Sequence, residues 1–121
     1  MRVLVVEDDA SIRETLGMVL DAYRHQADLV ENGELAIEFL KKIWPDVMLL
    51  DLTLPGMTGE EVYQEILSQF GRVPPTVVLS AAQEGANRAR HLPGANFLGK
   101  PYTIEQLADA IERAASAEGA A

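Results

Sequence analysis

The stretch DVMLLDLTLPGMTG, residues 46–59, decides the fold. Its first half is a short apolar run that ends on Asp51, which is typical of a buried parallel strand. Its second half has Pro55 and Gly56 where a type II turn requires them, so the chain turns sharply after the acid. Thr58 and Glu61 match the reciprocal cap of a helix. The stretch therefore predicts a strand, a turn and a helix start, with one carboxylate at the end of the strand.

The same alternation of apolar run and helical stretch occurs five times along the chain. Caps like that of Thr58 are predicted at Ser11 with Glu14 and at Thr103 with Gln106. The predicted strands cover residues 2–6, 26–30, 46–51, 76–80 and 96–98. Apolar side chains at helical spacing predict a buried face on the first and last helices, and these are Ile12, Leu16, Val19, Leu20 and Tyr23, then Ile104, Leu107, Ala108 and Ile111.

Five such units predict an α/β fold, a doubly wound five-stranded parallel sheet flanked by five helices. The expected strand order is 2-1-3-4-5, as in flavodoxin-like folds, which makes the first and third strands neighbours at the switch point. Glu7 and Asp8 follow the first strand and Asp51 closes the third. The three acids are therefore expected to lie side by side at the carboxyl end of the sheet.

Length and composition exclude several classes of protein. A chain of 121 residues is one domain by length, and without Cys it has no disulfide framework, which fits the cytoplasm. Two His residues argue against a zinc site of the usual ligands. A net charge of −9 would repel a phosphate backbone, so this domain is not expected to bind nucleic acid. No apolar stretch approaches the length of a membrane span.

Polar side chains of complementary chemistry close four of the predicted strands. They are the acids Glu7 and Asp8, the acid Asp51, the hydroxyl of Ser80 and the amine of Lys100. Two like charges ~4 Å apart repel by about 4 kcal/mol, so either a carboxyl is protonated or a cation lies among them. Carboxylate and water oxygens suit Mg²⁺ or Mn²⁺. Asp9 is instead expected to cap the first helix.

Asp51 has a second role open to it, because a carboxylate can act as a nucleophile and form an aspartyl phosphate. Phosphoryl transfer requires little of a protein beyond positioning and charge neutralisation. A cation held by Asp8 and Asp51 would supply this on one side and the Lys100 ammonium on the other. Ser80 can donate its hydroxyl to a phosphoryl oxygen.

These motifs together resemble the receiver domain of two-component response regulators, from Arg2 to about residue 115. VVEDD carries the acidic pair, LLDLTLPGMTG the phosphoacceptor Asp51, VLSA the hydroxyl residue Ser80, and FLGKP the lysine Lys100. The resemblance implies a receiver domain over residues 1–115, followed by an Ala/Gly-rich tail at 116–121. It also implies Mg²⁺ (or Mn²⁺) bound by Asp8, Asp51 and the Thr53 main chain, with Glu7 contributing through water.

The resemblance further implies a phosphoacceptor switch rather than an enzyme acting on other substrates. The phosphoryl donor would be a phosphohistidine on a sensor histidine kinase or a histidine phosphotransfer protein. Ser80 and the aromatic Phe97 would be the switch residues, and Lys100-Pro101 would be cis. The output would be a downstream protein target, an output domain of a longer chain, or a phosphorylation-dependent dimer. Ala82 offers no acid or amide to orient a hydrolytic water, so slow self-dephosphorylation is expected.

Three alternative functions fit the sequence less well. A phosphatase of the haloacid dehalogenase type needs a second acid two residues after its nucleophile, where this chain has Thr53. A flavin binder needs a neutral phosphate loop, where Glu7, Asp8 and Asp9 would repel a phosphate. A receiver serving only as an unphosphorylated scaffold would normally lack some of the acids or the lysine. Turnover of a phosphoester or a bound yellow chromophore would favour the first two alternatives, respectively.

Overall fold

The fold is described from a computed structural model. It covers residues 1–81, 87–88, 92 and 94–120, with the side chains of 117–120 left out. Strand and helix alternate along the chain. In order they are β1 (Arg2–Val6), α1 (Ala10–Ala22), β2 (Gln26–Val30), α2 (Gly33–Leu40), β3 (Val47–Asp51), α3 (Gly59–Phe70), β4 (Thr76–Ala81), β5 (Asn96–Lys100) and α4 (Ile104–Ala120).

All five strands form one parallel sheet in the order β2-β1-β3-β4-β5, which confirms the predicted topology. The apolar residues of β1, β3 and β4 are buried because helices cover both faces of the sheet there. The outer strands β2 and β5 are only partly buried. The sheet therefore has an apolar centre, and the carboxyl ends of β1 and β3 lie next to each other.

Two apolar cores lie on the two faces of the sheet, because side chains alternate along each strand. The first core joins the sheet to α2 and α3, and the second joins it to α1 and α4. The strand and helix residues at the centre of the first core are Leu4, Met48, Leu50, Val78, Ile37 and Ile66. Those of the second are Val5, Leu49, Val77, Leu16, Leu20 and Ile111.

Two of the three predicted caps are confirmed. Thr58 and Glu61 exchange both hydrogen bonds of a capping box, and Thr103 and Gln106 do the same before α4. The predicted cap at Ser11 is wrong. Asp9 caps α1 instead, as also expected, because its carboxylate accepts the amide of Ile12 at 3.0 Å.

The predicted buried face of α1 and α4 is only partly correct. Leu16 and Leu20 are buried, but Ile12, Tyr23 and Ile104 remain 40–51% exposed. Ile12 and Ile104 line an apolar groove of about 330 Å³ between the two helices, so their side chains lie at the margin of the core. Helical spacing identifies the apolar side of a helix, whereas the width that neighbours cover depends on how the helices pack.

The helix predicted between β4 and β5 falls largely outside the described residues, as does Ala82. Asn87 and Arg88 are helical, and the structure describes four helices in all, where five were predicted. The strand β5 extends two residues further than predicted, so Lys100 is its last residue. Among the described residues, no helix is both long and apolar enough to cross a membrane. α4 continues to Ala120, and the domain boundary at residue 115 stays a prediction.

Candidate functional site

Three carboxylates converge at the carboxyl end of the sheet. Glu7, Asp8 and Asp51 each offer an oxygen, and these oxygens all lie within 4.8 Å of one another. The parallel pairing of β1 with β3 brings them together, because Val6 is opposite Leu50 in the ladder and the acids follow on both strands. Glu7 and Asp51 are buried and Asp8 is exposed, so the cluster opens to solvent on one side.

Glu7 is the electrostatic centre of this cluster. Burial, the charge of Asp51, and hydrogen bonds with the carboxyls of Asp51 and Asp8 raise the pKa of Glu7 from 4.5 to about 7. The amide of Asp9 approaches Glu7 Oε2 at 3.4 Å and only partly offsets this effect. Oxygen Oε1 of Glu7 is buried with no hydrogen-bond partner, the only such side-chain atom in the part of the chain that the structure describes. A proton on Glu7 or a cation beside it would satisfy this oxygen.

Asp51 is held by two donors from different parts of the chain. Its Oδ1 accepts the amide of Thr53 at 2.7 Å, and its Oδ2 accepts the Lys100 ammonium at 3.0 Å. Burial alone would lower the pKa of Lys100, but the hydrogen bond and charge of Asp51, with the charge of Glu7, raise it above its ordinary value. Lys100 therefore stays protonated at neutral pH. The peptide bond that follows, Lys100-Pro101, is cis, which confirms the prediction.

The cluster fits a small divalent cation. Its ligand atoms are all carboxylate oxygens, which suit Mg²⁺ and Mn²⁺. The contacts among the acids leave Oε1 of Glu7 without a hydrogen-bond partner. Lys100 contacts only the Asp51 side of the cluster among the hydrogen bonds described, so one ammonium leaves at least one carboxylate charge without a counter-charge.

The turn after β3 is closed by two glycines. Gly56 has a φ of +73°, a left-handed value that the predicted type II turn requires at its third position. Gly59 donates its amide to the Leu52 carbonyl at 3.0 Å. A Cβ at residue 59 would lie 2.6 Å from Leu52 Cα and 2.8 Å from the Asp51 carbonyl oxygen. The backbone of the helix start therefore lies directly against the backbone of the acceptor.

The two predicted switch residues lie on β4 and β5. Ser80 is buried at the end of β4, one residue beyond Leu79, which pairs with Asp51. Phe97 is partly buried and packs against the core under α2 and α3. Phe97 pairs with Val78 and Ser80 with Gly99, so Ser80 and Phe97 lie on the same face of the sheet.

The sequence interpretation missed two arginines near the site. Arg13 donates to the main-chain carbonyls of Glu7 and Asp8 at 2.9 and 3.2 Å, which holds the loop that carries both acids. Arg88 donates to the Leu52 carbonyl at 2.9 Å. Arg88 belongs to no motif that could have revealed it, because its contact with Leu52 is to a main-chain atom. Arg13 at five residues from Asp8 was the one usable signal, since that spacing brings a first-turn side chain back over the preceding loop.

A doubly wound parallel sheet with an acidic cluster at its switch point and a lysine on the central acid defines the receiver class of α/β protein. The family model described as the response regulator receiver domain matches residues 3–112. The chain therefore belongs to the receiver domain family of two-component signalling.

Two curated relatives match this chain over most of its length. The chain is 36% identical over 110 residues to a protein-glutamate methylesterase/protein-glutamine glutaminase of Treponema denticola, covering 87% of the chain and 30% of that protein. It is 36% identical over 114 residues to the phosphate regulon transcriptional regulatory protein PhoB of Escherichia coli, covering 92% of the chain and 50% of that protein. The chain thus spans half or less of these relatives.

A solved structure of similar fold is the receiver domain of a sensor histidine kinase from Pseudomonas aeruginosa. It has a TM-score of 0.85 at 24% identity and covers 95% of this chain and 97% of that one. Its active-site cleft contains a coordinated magnesium ion. At this identity the likeness concerns the fold.

Proposed function

We propose that this receiver domain accepts a phosphoryl group on Asp51 in a reaction that depends on Mg²⁺ or Mn²⁺. The proposal rests on the position of Asp51 between a lysine and two further acids. One of its oxygens contacts the Lys100 ammonium, and the carboxylate lies within 4.8 Å of Glu7 and Asp8 oxygens. A carboxylate set between a fixed cation and a second, acid-lined cation site has the charge neutralisation that phosphoryl transfer requires.

In the proposed step, an oxygen of Asp51 forms a bond to phosphorus as the bond from phosphorus to the donor's imidazole nitrogen breaks. The imidazole leaves with the electron pair of that bond. Lys100 neutralises charge on the phosphoryl oxygens, and the Ser80 hydroxyl donates to one of them. Asp8, Asp51 and the Thr53 main chain would hold the divalent cation, with Glu7 acting through water. When bound, the cation supplies charge stabilisation.

The comparisons support the donor and output classes in general terms. Receiver domains act with histidine kinases, so we propose a sensor histidine kinase or a histidine phosphotransfer protein as the donor. The magnesium in the Pseudomonas aeruginosa receiver supports the same cation here. The output partner would be a protein target, an output domain, or a second copy that pairs on phosphorylation. Direct binding of nucleic acid by this domain is not expected, and cytoplasmic location remains a prediction.

The test is intact-mass analysis after treatment with acetyl phosphate. The wild-type chain should gain one phosphoryl group in Mg²⁺ or Mn²⁺ and none in excess chelator, and Asp51→Asn should gain none. Asp109→Asn, at an exposed acid of α4, is the matched control and should be phosphorylated like the wild type. An adduct that persists in Asp51→Asn, or that forms equally in chelator, would refute the assignment.

We also propose that Ser80 and Phe97 transmit the phosphorylated state. A Ser80 hydroxyl drawn toward the phosphoryl group would vacate space at the end of β4. Phe97, partly buried on the same face, is a bulky side chain that can occupy it. Phe lacks the phenolic hydroxyl of Tyr, so packing alone would hold the inward state, with a bias of a few kcal/mol at most. Amide shifts with a beryllofluoride mimic should change along β5 and α4; changes confined to the acidic cluster would contradict the switch.

A further inference from the structure

Arg88 contacts the backbone immediately beyond the proposed phosphoacceptor. Its Nη2 donates to the Leu52 carbonyl at 2.9 Å. The same guanidinium donates to both carboxylate oxygens of Glu60, from Nε to Oε2 at 2.6 Å and from Nη2 to Oε1 at 2.5 Å. Leu52 precedes Arg88 by 36 residues, so this contact exists only in the folded chain.

The Leu52 carbonyl and the Thr53 amide are the two ends of a single peptide unit. Resonance keeps that unit planar, so the direction of the carbonyl oxygen determines the direction of the N–H. The Thr53 N–H donates to Asp51 Oδ1 at 2.7 Å. Whatever holds the Leu52 oxygen therefore also orients the donor on the Asp51 carboxylate.

Two donors hold this oxygen, one from the main chain and one from a side chain. The Gly59 amide donates to it at 3.0 Å, and Nη2 of the Arg88 side chain donates to it at 2.9 Å. A cationic donor on the carbonyl also polarises the peptide unit, which strengthens its N–H as a donor. Gly59 would keep the unit in place without Arg88, so loss of Arg88 should weaken the alignment rather than abolish it.

Glu60 fixes the geometry of the Arg88 guanidinium. It is the second residue of α3, where a carboxylate is favoured by the helix dipole. The paired side chains are only 27% and 29% exposed, so water screens this pair less than an exposed one. A two-nitrogen contact restricts the rotation of the guanidinium, which leaves Nη2 aimed at the Leu52 oxygen.

We propose that Arg88 is a positioning residue for phosphorylation of Asp51, acting through the Leu52–Thr53 peptide unit. This inference rests on the proposed function of Asp51. Arg88 contacts neither the acceptor carboxylate nor the cation-binding acids in the hydrogen bonds described. Its contribution is the alignment of the Thr53 donor, which keeps the Asp51 carboxylate in one orientation between Lys100 and the acidic cluster.

The experiment compares Arg88→Ala and Arg88→Lys with Arg113→Ala. Arg113 is the matched control because it also pairs with an acid, Asp109 at 2.9 Å, but on the exposed face of α4. Two quantities are measured for each full chain: the Thr53 amide proton shift and exchange rate in the resting protein, and the rate of phosphorylation by acetyl phosphate in saturating Mg²⁺. A urea titration confirms that each variant is folded.

Arg88→Ala should move the Thr53 amide proton upfield, speed its exchange, and slow phosphorylation by about five- to tenfold, the factor that one hydrogen bond typically contributes when a second donor remains. Arg88→Lys keeps the positive charge but loses the two-nitrogen contact with Glu60, so its effect should be intermediate. Arg113→Ala should leave both quantities at the wild-type values. If Arg88→Ala fails to fold, the Thr53 amide shift and the phosphorylation rate of Arg88→Lys test the proposal in its place.

The resting amide shift separates this inference from the proposed function. A wild-type chain that is never phosphorylated would refute the function of Asp51, whatever the amide shows. A wild-type chain that is phosphorylated, with Arg88 variants whose Thr53 amide matches that of Arg113→Ala, would overturn the positioning role. A slower reaction with an unmoved Thr53 amide would overturn it as well.

Discussion

The two ends of the sheet differ in how their charged side chains are paired. At the carboxyl end, three acids share one site with a single lysine, and a buried oxygen of Glu7 has no partner. At the amino end, charges are matched: Arg2 pairs with Asp28 at 2.9 Å. Among the described residues, the one cluster of three acids lies at the end where we propose that a cation and a phosphoryl group bind.

Aromatic packing reinforces the amino end. Trp44 and Phe70 meet edge to face, with ring centroids 5.6 Å apart, and the Arg72 guanidinium lies 4.4 Å from the centre of the Trp44 ring. These contacts join the segments that precede β3 and β4. We therefore expect substitutions at the amino end to change the stability of the fold without changing the chemistry of the site. The following variants test this division.

The largest effect is expected from Gly59→Ala. The new Cβ would meet backbone atoms at 2.6 and 2.8 Å, so the helix start or the acceptor loop must shift. We expect a loss of about 3 kcal/mol in the free energy of unfolding, together with slower phosphorylation. Urea titration and the acetyl phosphate assay measure the two effects. Gly17→Ala, whose Cβ would meet only the Leu29 side chain at 3.1 Å, is the control; equal stability of the two variants would contradict the prediction.

Trp44→Ala should destabilise the amino end without affecting the site. Trp44 is partly buried against the first core, so the loss should be about 2 kcal/mol, less than for a fully buried Trp. The phosphorylation rate should equal that of the wild type in buffer where both are folded. A slower reaction under those conditions would show that the two ends are coupled, and the division would fail.

Glu7→Gln should remove a pH dependence of stability. The pKa of Glu7 is about 7 in the folded protein and 4.5 in its ordinary state, so the folded chain holds a proton that the unfolded chain has lost between these values. The contribution of Glu7 to the free energy of unfolding is therefore complete below pH 4.5 and is lost as the pH rises toward 7. We expect a loss of about 1–2 kcal/mol, because Glu7 shares its proton with Asp51 and the full pKa difference does not belong to Glu7 alone.

The measurement is urea unfolding in chelator at pH 5 and pH 7.5 for the wild type and Glu7→Gln. The difference between them isolates Glu7 from other titrating groups. The wild type should lose stability relative to the variant at the higher pH, and Mg²⁺ should restore it in the wild type. If the free energy of unfolding changes with pH by the same amount in the wild type and in Glu7→Gln, Glu7 is not the group responsible.

The smallest effect is expected from Arg72→Gln, which removes the cation above Trp44 and keeps much of the side chain. A cation–π contact of this kind contributes about 0.5–1 kcal/mol, and phosphorylation should be unaffected. Arg72→Lys should recover part of the loss. Thermal or urea unfolding resolves the series, and a loss larger than that of Trp44→Ala would mean that Arg72 acts through other contacts.

Much of the site was predictable because its side chains follow buried strands. The apolar runs ending at Val6 and Asp51 are local signals, and the rules for parallel crossovers make these strands neighbours. Sequence patterns could not distinguish the burial of Glu7 from that of the adjacent Asp8. Burial differs between them because Glu7 is enclosed at the end of β1, with its amide donated to Val30 of β2, whereas Asp8 lies beyond the strand.

The cap of α1 shows a second kind of limit. Asp9 and Ser11 both carry side chains that can accept an amide, and Ser11 has an acid three residues later. Local preference alone does not choose between them. The structure begins the helix at Ala10 with Asp9 as the cap, and Arg13 then reaches the carbonyls of Glu7 and Asp8. The start of α1 therefore depends on contacts with the loop that carries Glu7 and Asp8, and not on local capping preference alone.

Sequence patterns were enough to predict the alternation of strands and helices, the parallel order and the four strand ends where polar residues meet. These features depend on the short-range periodicity of apolar residues and on the geometry of parallel crossovers, both of which can be inferred from local sequence. Tertiary structure alone decided which oxygen of the acidic cluster lacks a partner, and that Arg88 lies against the Leu52 carbonyl. Those features depend on distances between segments far apart in sequence, and such distances are set only when the whole core packs.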